Sequence, residues 1–191
     1  MEYQVRTRRW TRGEYERLID IGIFRPSDPV ELLGGELVVA EPQDSPHYTA
    51  ICLAEEALRR AFGSGWLIRT QGPIALDEQS EPEPDVAVAR GDVRDYSREH
   101  PARPVLVVEM AVSSLSLDRN HKGSLYARAR LEDYWILNIV DRVLEVYREP
   151  AEDTTAPFGW RYASVQALGP ESSVTPLAAP GGRVLVSDLL P

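Results

Sequence analysis

The chain has 191 residues and a formal charge of −9, with 43% hydrophobic and 27% charged residues. That composition is the balance of a folded globule of one domain and excludes a fibrous or disordered chain. The polar start MEYQVRTRRW and the lack of any window approaching 18 apolar residues argue against a secretory signal or a membrane span, so a cytoplasmic protein is expected. Cys52 is the only cysteine and reads as a small core residue; it rules out an internal disulfide and a cysteine-based zinc site. With His47, His100 and His121 as the only histidines, a metal would sit more naturally on carboxylates, which suit Mg²⁺ or Mn²⁺. The negative charge counts against a broad basic grip on nucleic acid.

Thr11 and Glu14 stand in the spacing of a capping box, and Tyr15, Leu18 and Ile19 follow as an apolar stripe, predicting a first helix to about Ile21. In VELLGGELVVA (30–40), Gly34 and Gly35 separate two apolar runs and predict a two-residue hairpin. After Ser45, Pro46 and His47, the residues Ile51, Ala54, Leu58, Ala61 and Phe62 recur at helical spacing until Gly63. Short strands are expected at 66–70 and 74–76. Continuous apolar runs at 85–89 and 105–110 read as central strands covered on both faces. A helix over 117–129, strands over 134–140 and 143–147, an acidic loop over 149–157 and two or three short tail strands complete the chain. The order implies an α/β domain with a mixed central sheet flanked by helices.

Three charges stand where a fold prefers apolar side chains. Asp85 opens a strand after Pro84, Glu109 ends the apolar run VLVVE, and Lys122 lies thirteen residues on, in the helix that follows. If the two strands are neighbours, alternation can turn Asp85 and Glu109 to one face, where their repulsion favours a divalent cation, with Lys122 leaning over it. Taken singly, each also has a plain structural reading: Asp85 as a turn residue, Glu109 in an ion pair, Lys122 as a solvated helix residue. His47 is either a neighbour of a helix cap or a general base or supporting donor. Glu31 and Glu36 flank the hairpin glycines, and Glu36 faces either the acidic site or solvent. Ser116 and Asp118 read as caps of the helix carrying Lys122. The chain has 20 arginines and a single lysine, Lys122, which singles out the place where a lysine remains. No P-loop, GxGxxG or GxSxG string occurs.

The strings DPVELLGGELVVAEPQDSPH, EPDVAVA, VLVVEMAVSSLSLDRNHKGSLYARARLEDYWILN and VDRVLEVYR resemble the large bacterial restriction-endonuclease family first known as a domain of unknown function, a branch of the PD-(D/E)XK nuclease superfamily. The resemblance runs from about Thr11 to Tyr147. It implies a restriction-endonuclease-like core with an N-terminal helix and hairpin. It places the PD element on Pro84 and Asp85, the second acid on Glu109, the lysine on Lys122, the hairpin glutamate on Glu36 and the helix-start histidine on His47. The superfamily's lysine position two residues after the acid is Ala111 here, and Ala111 to Ser114 replace a Ser-Pro-Ser-Thr turn. The implied activity is hydrolysis of DNA phosphodiester bonds with Mg²⁺ or Mn²⁺, held by Asp85, Glu109 and the carbonyl of Met110. A homodimer is expected. Arg6, Arg8, Arg9 and Arg12 would offer a basic edge to the backbone. The rival expectations are a silent nuclease-fold binding or assembly module and a nuclease acting on RNA.

Overall fold

A computed structural model describes residues 7–25, 28–40 and 43–191. Arg6 lies outside them. The first helix, α1 (Arg12–Asp20), begins at the expected capping box: Glu14 N–H donates to Thr11 Oγ1 (3.3 Å) and Thr11 N–H to Glu14 Oε2 (3.0 Å). Of its apolar stripe only Tyr15 is fully buried, and its hydroxyl donates to the Val30 carbonyl (2.6 Å). This bond ties α1 to the hairpin β1 (Val30–Leu33) and β2 (Glu36–Val39), whose turn takes Gly34 and Gly35 at φ 57° and 84°. Both values lie where a side chain is strained, and a Cβ on Gly34 would also meet the Phe158 ring.

The long helix α2 (Ser45–Phe62) is capped by Asp44, which accepts from His47 N–H (2.9 Å), so His47 belongs to the first helical turn. Ile51, Ala54, Leu58 and Phe62 form its buried stripe. Cys52 falls off that stripe and is exposed, correcting the expectation of a core cysteine.

Six strands make the central sheet in the order β3 (Trp66–Thr70), β4 (Val86–Arg90), β5 (Leu106–Ala111), β6 (Asp133–Asn138), β7 (Val143–Glu152) and β8 (Trp160–Leu168). Only β5 and β6 pair in parallel. A parallel pair needs a crossover, supplied here by a π-helical turn (Leu117–Lys122) that runs into α3 (Gly123–Arg128). Val86, Val88, Leu106, Val108 and Met110 face α2, while Ala87, Val107 and Ala111 face the other layer with Tyr126, Tyr134, Tyr147 and Tyr162. Strands buried on both faces explain the unbroken apolar runs in the sequence. The tail pairs β9 (Ser173–Val174) with β10 (Val184–Leu185) and adds Val186, Leu189 and Leu190 to the α2 side.

Two expected elements differ. Residues 74–76 join no ladder; Ile74 and Ala75 donate to the Pro82 and Pro101 carbonyls instead, in a stretch whose prolines withhold donors. The acidic segment after 149 is not a loop from its start: β7 runs on to Glu152, its ladder passing over Glu149 (φ 61°) before Pro150 pairs with Tyr162.

One buried acid lacks a full set of partners. Glu81 is 4% exposed, its Oε2 makes no hydrogen bond, and Arg12 lies 4.0 Å away. Burial, together with nearby Glu16, pushes its pKa up to about 7. A raised folded-state value means that the contribution of the protonated acid is intact below about 4.5 and lost as pH climbs through 7. Glu81→Gln is therefore expected to raise the thermal midpoint at pH 8, by the equivalent of about 1–3 kcal/mol, and to leave it nearly unchanged at pH 4. Thermal unfolding at the two pH values checks this.

Candidate active site

The antiparallel register Val86↔Val108 brings Asp85, just before β4, beside Glu109 in β5. The two acids are stitched through the backbone. Asp85 N–H donates to Glu109 Oε2 (3.3 Å), and Met110 N–H donates to Asp85 Oδ2 (2.7 Å). Glu109 is 3% exposed and Asp85 8%, so neither carboxylate is a solvated turn residue.

Lys122 closes the π turn and is itself buried. Its Nζ lies 3.2 Å from Glu109 Oε1 and 3.3 Å from Glu31 Oε2, joining β5 to the hairpin. Tyr126 Oη donates to the same Glu109 oxygen (2.8 Å), and Glu31 Oε2 also accepts from Glu83 N–H (2.9 Å). The π turn widens the helix by one residue per turn, and both Asp118 and Lys122 point inward from it. Asp118 is 2% exposed and accepts from Ser114 Oγ (2.6 Å). Ser116 makes no side-chain cap bond, and Asp118 lines the cleft described below, which corrects the cap reading of both.

One ammonium among Asp85, Glu109, Asp118 and Glu31 sets the electrostatics. Burial pushes Glu109 up to about 8 and Asp118 up to about 6; neighbouring acids add to both shifts, and Lys122 opposes them. Burial alone would lower Lys122, but Glu109, Glu31, Asp118 and Asp85 outweigh it and hold the amine well above its usual range. Lys122 is thus a fixed positive charge and negative charge remains in excess. Asp133 shows the contrast: also buried, it accepts from Trp135, Arg148 and Leu177.

His47 Nε2 lies 2.9 Å from Asp85 Oδ1. Burial lowers its pKa, but the bond to Asp85 and the charges of Asp85, Asp44 and Asp118 raise it more, for a net upward shift. Asp85, Glu109, Met110, Lys122, His47, Asp118 and Glu31 all line one cleft of about 410 Å³. Glu36 is not among its lining residues: it pairs with Arg9 (2.6 Å) and its side chain is 49% exposed. The hairpin acid at the site is Glu31. Glu36→Ala is accordingly expected to change any cleavage rate less than about twofold, since an exposed pair contributes about 0–1 kcal/mol, whereas Glu31→Gln loses about tenfold or more by loosening Lys122. Steady-state rates of the two variants check this.

The expected basic edge is largely spent. Arg8 pairs with Glu14, Arg9 with Glu36 and Arg12 with Glu16, and no arginine lines the cleft among the described residues. Among the described residues, no three His, Cys, Asp or Glu side chains gather to ligate a metal by themselves. The groups that could hold one are the carboxylates of Asp85 and Glu109 with the carbonyl of Met110. These are hard oxygen donors, the excess of buried negative charge suits a cation, and a Mg²⁺ seat of this kind keeps several waters. Tyr126, Asp118 and Glu31 escape a motif search, though Asp118, Lys122 and Tyr126 recur every four residues.

The family model described as "Putative restriction endonuclease" (Uma2) matches residues 12–186. No curated protein matches the chain. Among solved structures, the chain is similar to the "putative nuclease belonging to DUF820 from Anabaena variabilis ATCC 29413", with a TM-score of 0.68 and 13% identity over 90% of this chain and 96% of that one. At that identity the likeness carries the fold. The family match, running from the first residue of α1 to just past β10, carries the rest: the chain belongs to the Uma2 family, a nuclease family of the restriction-endonuclease type.

Proposed function

We propose that the protein is a divalent-metal-dependent endonuclease that hydrolyses DNA phosphodiester bonds. The observation that carries this reading is the buried Lys122 ammonium held between Glu109 and Glu31, one residue contact away from Asp85. Mg²⁺ or Mn²⁺ on Asp85, Glu109 and the Met110 carbonyl would polarise the phosphodiester and lower the pKa of a bound water. The protein's own groups do the positioning. Asp85 is fixed by Met110 N–H on one oxygen and His47 on the other, and Glu109 by Tyr126, Lys122 and Asp85 N–H. Lys122 stays charged, so its role is to orient the attacking water and stabilise charge that develops on the phosphate; it has no free pair with which to act as a base at neutral pH. A homodimer belongs to the proposal, because cutting two strands calls for two sites.

A specific observation favours a second reading. Glu31, Asp44, Glu83, Asp85, Glu109 and Asp118 line the cleft against Lys122 and His47, an acidic lining that disfavours a phosphate backbone and suits a silent binding or assembly module. A cleavage assay on single- and double-stranded DNA and on RNA, with Mg²⁺, Mn²⁺ and no metal, separates them. Metal-dependent DNA cutting that is lost in Lys122→Ala supports the nuclease; no cutting of any nucleic acid under any metal would overturn it.

A further inference from the structure

The cleft does not end at Asp85. A side lobe of about 340 Å³ shares Glu31, Ala40, Gln43, Glu83 and Asp85 with it and adds Pro29 and Gln71. Gln71 follows β3 directly and holds φ 47°, a left-handed conformation that favours glycine. The glycine available next door, Gly72, does not take that conformation. It gives room instead, since a Cβ there would collide with the Arg69 guanidinium. The strain is thus carried at a position that keeps a long carboxamide, and such strain persists where the surroundings enforce it. The enforcing contact is at the site: Gln71 N–H donates to the Asp85 carbonyl (3.0 Å), which fixes Gln71 relative to the candidate metal-binding acid.

We propose that this lobe is a base-recognition subsite that takes the nucleotide beside the scissile phosphate and favours a base bearing an exocyclic amine. The inference rests on the nuclease reading and adds a substrate preference to it. A phosphate has no counter-charge in the lobe, whose charged lining is Glu31, Glu83 and Asp85. A nucleobase fits that chemistry. Glu31 holds Lys122 and Asp85 is the candidate metal ligand, so Glu83 is the carboxylate left to accept from the amino group of cytosine, and a glutamine carboxamide pairs with the donor and acceptor of adenine. Gln71, Gln43 and Glu83 are all exposed at the lobe, so their polar ends are available to a ligand. Thymine presents carbonyl oxygens to the same carboxylates and is disfavoured.

The test is fluorescence anisotropy of oligo(dA), oligo(dC) and oligo(dT) of equal length with the full chain in Ca²⁺, which reads binding without depending on turnover. The expected result is that oligo(dA) and oligo(dC) bind at least about fivefold more tightly than oligo(dT), and that Gln71→Ala brings this ratio below about twofold. Gln71→Gly is expected to lose the ratio too while gaining thermal stability, which separates recognition from a folding defect. Equal binding of the three oligonucleotides by the natural chain, or an unchanged ratio in Gln71→Ala, would overturn the subsite alone. Failure of every oligonucleotide to bind would overturn the nucleic-acid reading beneath it.

Discussion

Lys122→Met is expected to abolish cleavage and to cost about 3–5 kcal/mol of stability, the penalty for leaving buried charges without their partner. The stability loss follows from geometry, because one ammonium serves Glu109 at 3.2 Å and Glu31 at 3.3 Å, and all three side chains are buried. Removing it leaves two carboxylates facing each other and Asp118. Neutralising both acids as well, in Lys122→Met with Glu31→Gln and Glu109→Gln, is expected to return most of the stability and none of the activity. Denaturant unfolding and cleavage rates on the single and triple variants separate the two roles. Lys122→Arg is not expected to rescue activity, since a planar guanidinium cannot sit where a compact ammonium contacts Glu31 and the Glu109 oxygen that also accepts from Tyr126.

Asp85→Asn is expected to lower metal-dependent cleavage by about a thousandfold or more while leaving the fold intact. The carboxamide keeps one acceptor and nearly the same shape, so either Met110 N–H or His47 retains its partner. What disappears is the charge. Asp85 and Glu109 supply the two carboxylates beside the Met110 carbonyl, and a carboxamide in place of one is a poor donor for a hard cation. The same substitution also relieves the like-charge pressure on Glu109, so the unfolding midpoint in the absence of metal is expected to hold or rise. A midpoint that collapses would instead assign Asp85 a structural role.

Much of the scaffold could be read directly from residues. The Thr11–Glu14 box, the Gly34–Gly35 turn, the Ile51–Phe62 stripe and the runs VAVA and VLVVE each encode a local period or a local bond, and each became the expected element. Asp85, Glu109 and Lys122 were visible because they place charge where those patterns prefer apolar residues, His47 because it stands at a helix start, and the structure gathers all four in one cleft. Glu31 interrupts VELL in the same way that Glu109 ends VLVVE, yet the choice between Glu31 and Glu36 depends on how the hairpin packs on β5 and the π turn, a long-range fact no local pattern contains. Asp118 was hidden for a related reason. A helix N-terminus and a π turn share residue types, and the structure places Asp118 in the π turn, buried and lining the cleft. Cys52 was misplaced although Ile51, Ala54 and Leu58 already defined a stripe that leaves it out. The extension of β7 past Pro150 came from pairing with β8, which outweighed the turn chemistry of the segment.

The account depends on a cation being welcome between Asp85 and Glu109. Isothermal titration of Mn²⁺ into the purified chain at pH 7, beside Asp85→Asn, measures this directly. The account predicts a saturable site in the natural chain, with protons released as Glu109 ionises, and its loss in the variant. Identical titrations for the two proteins, or no heat of binding in either, would contradict it.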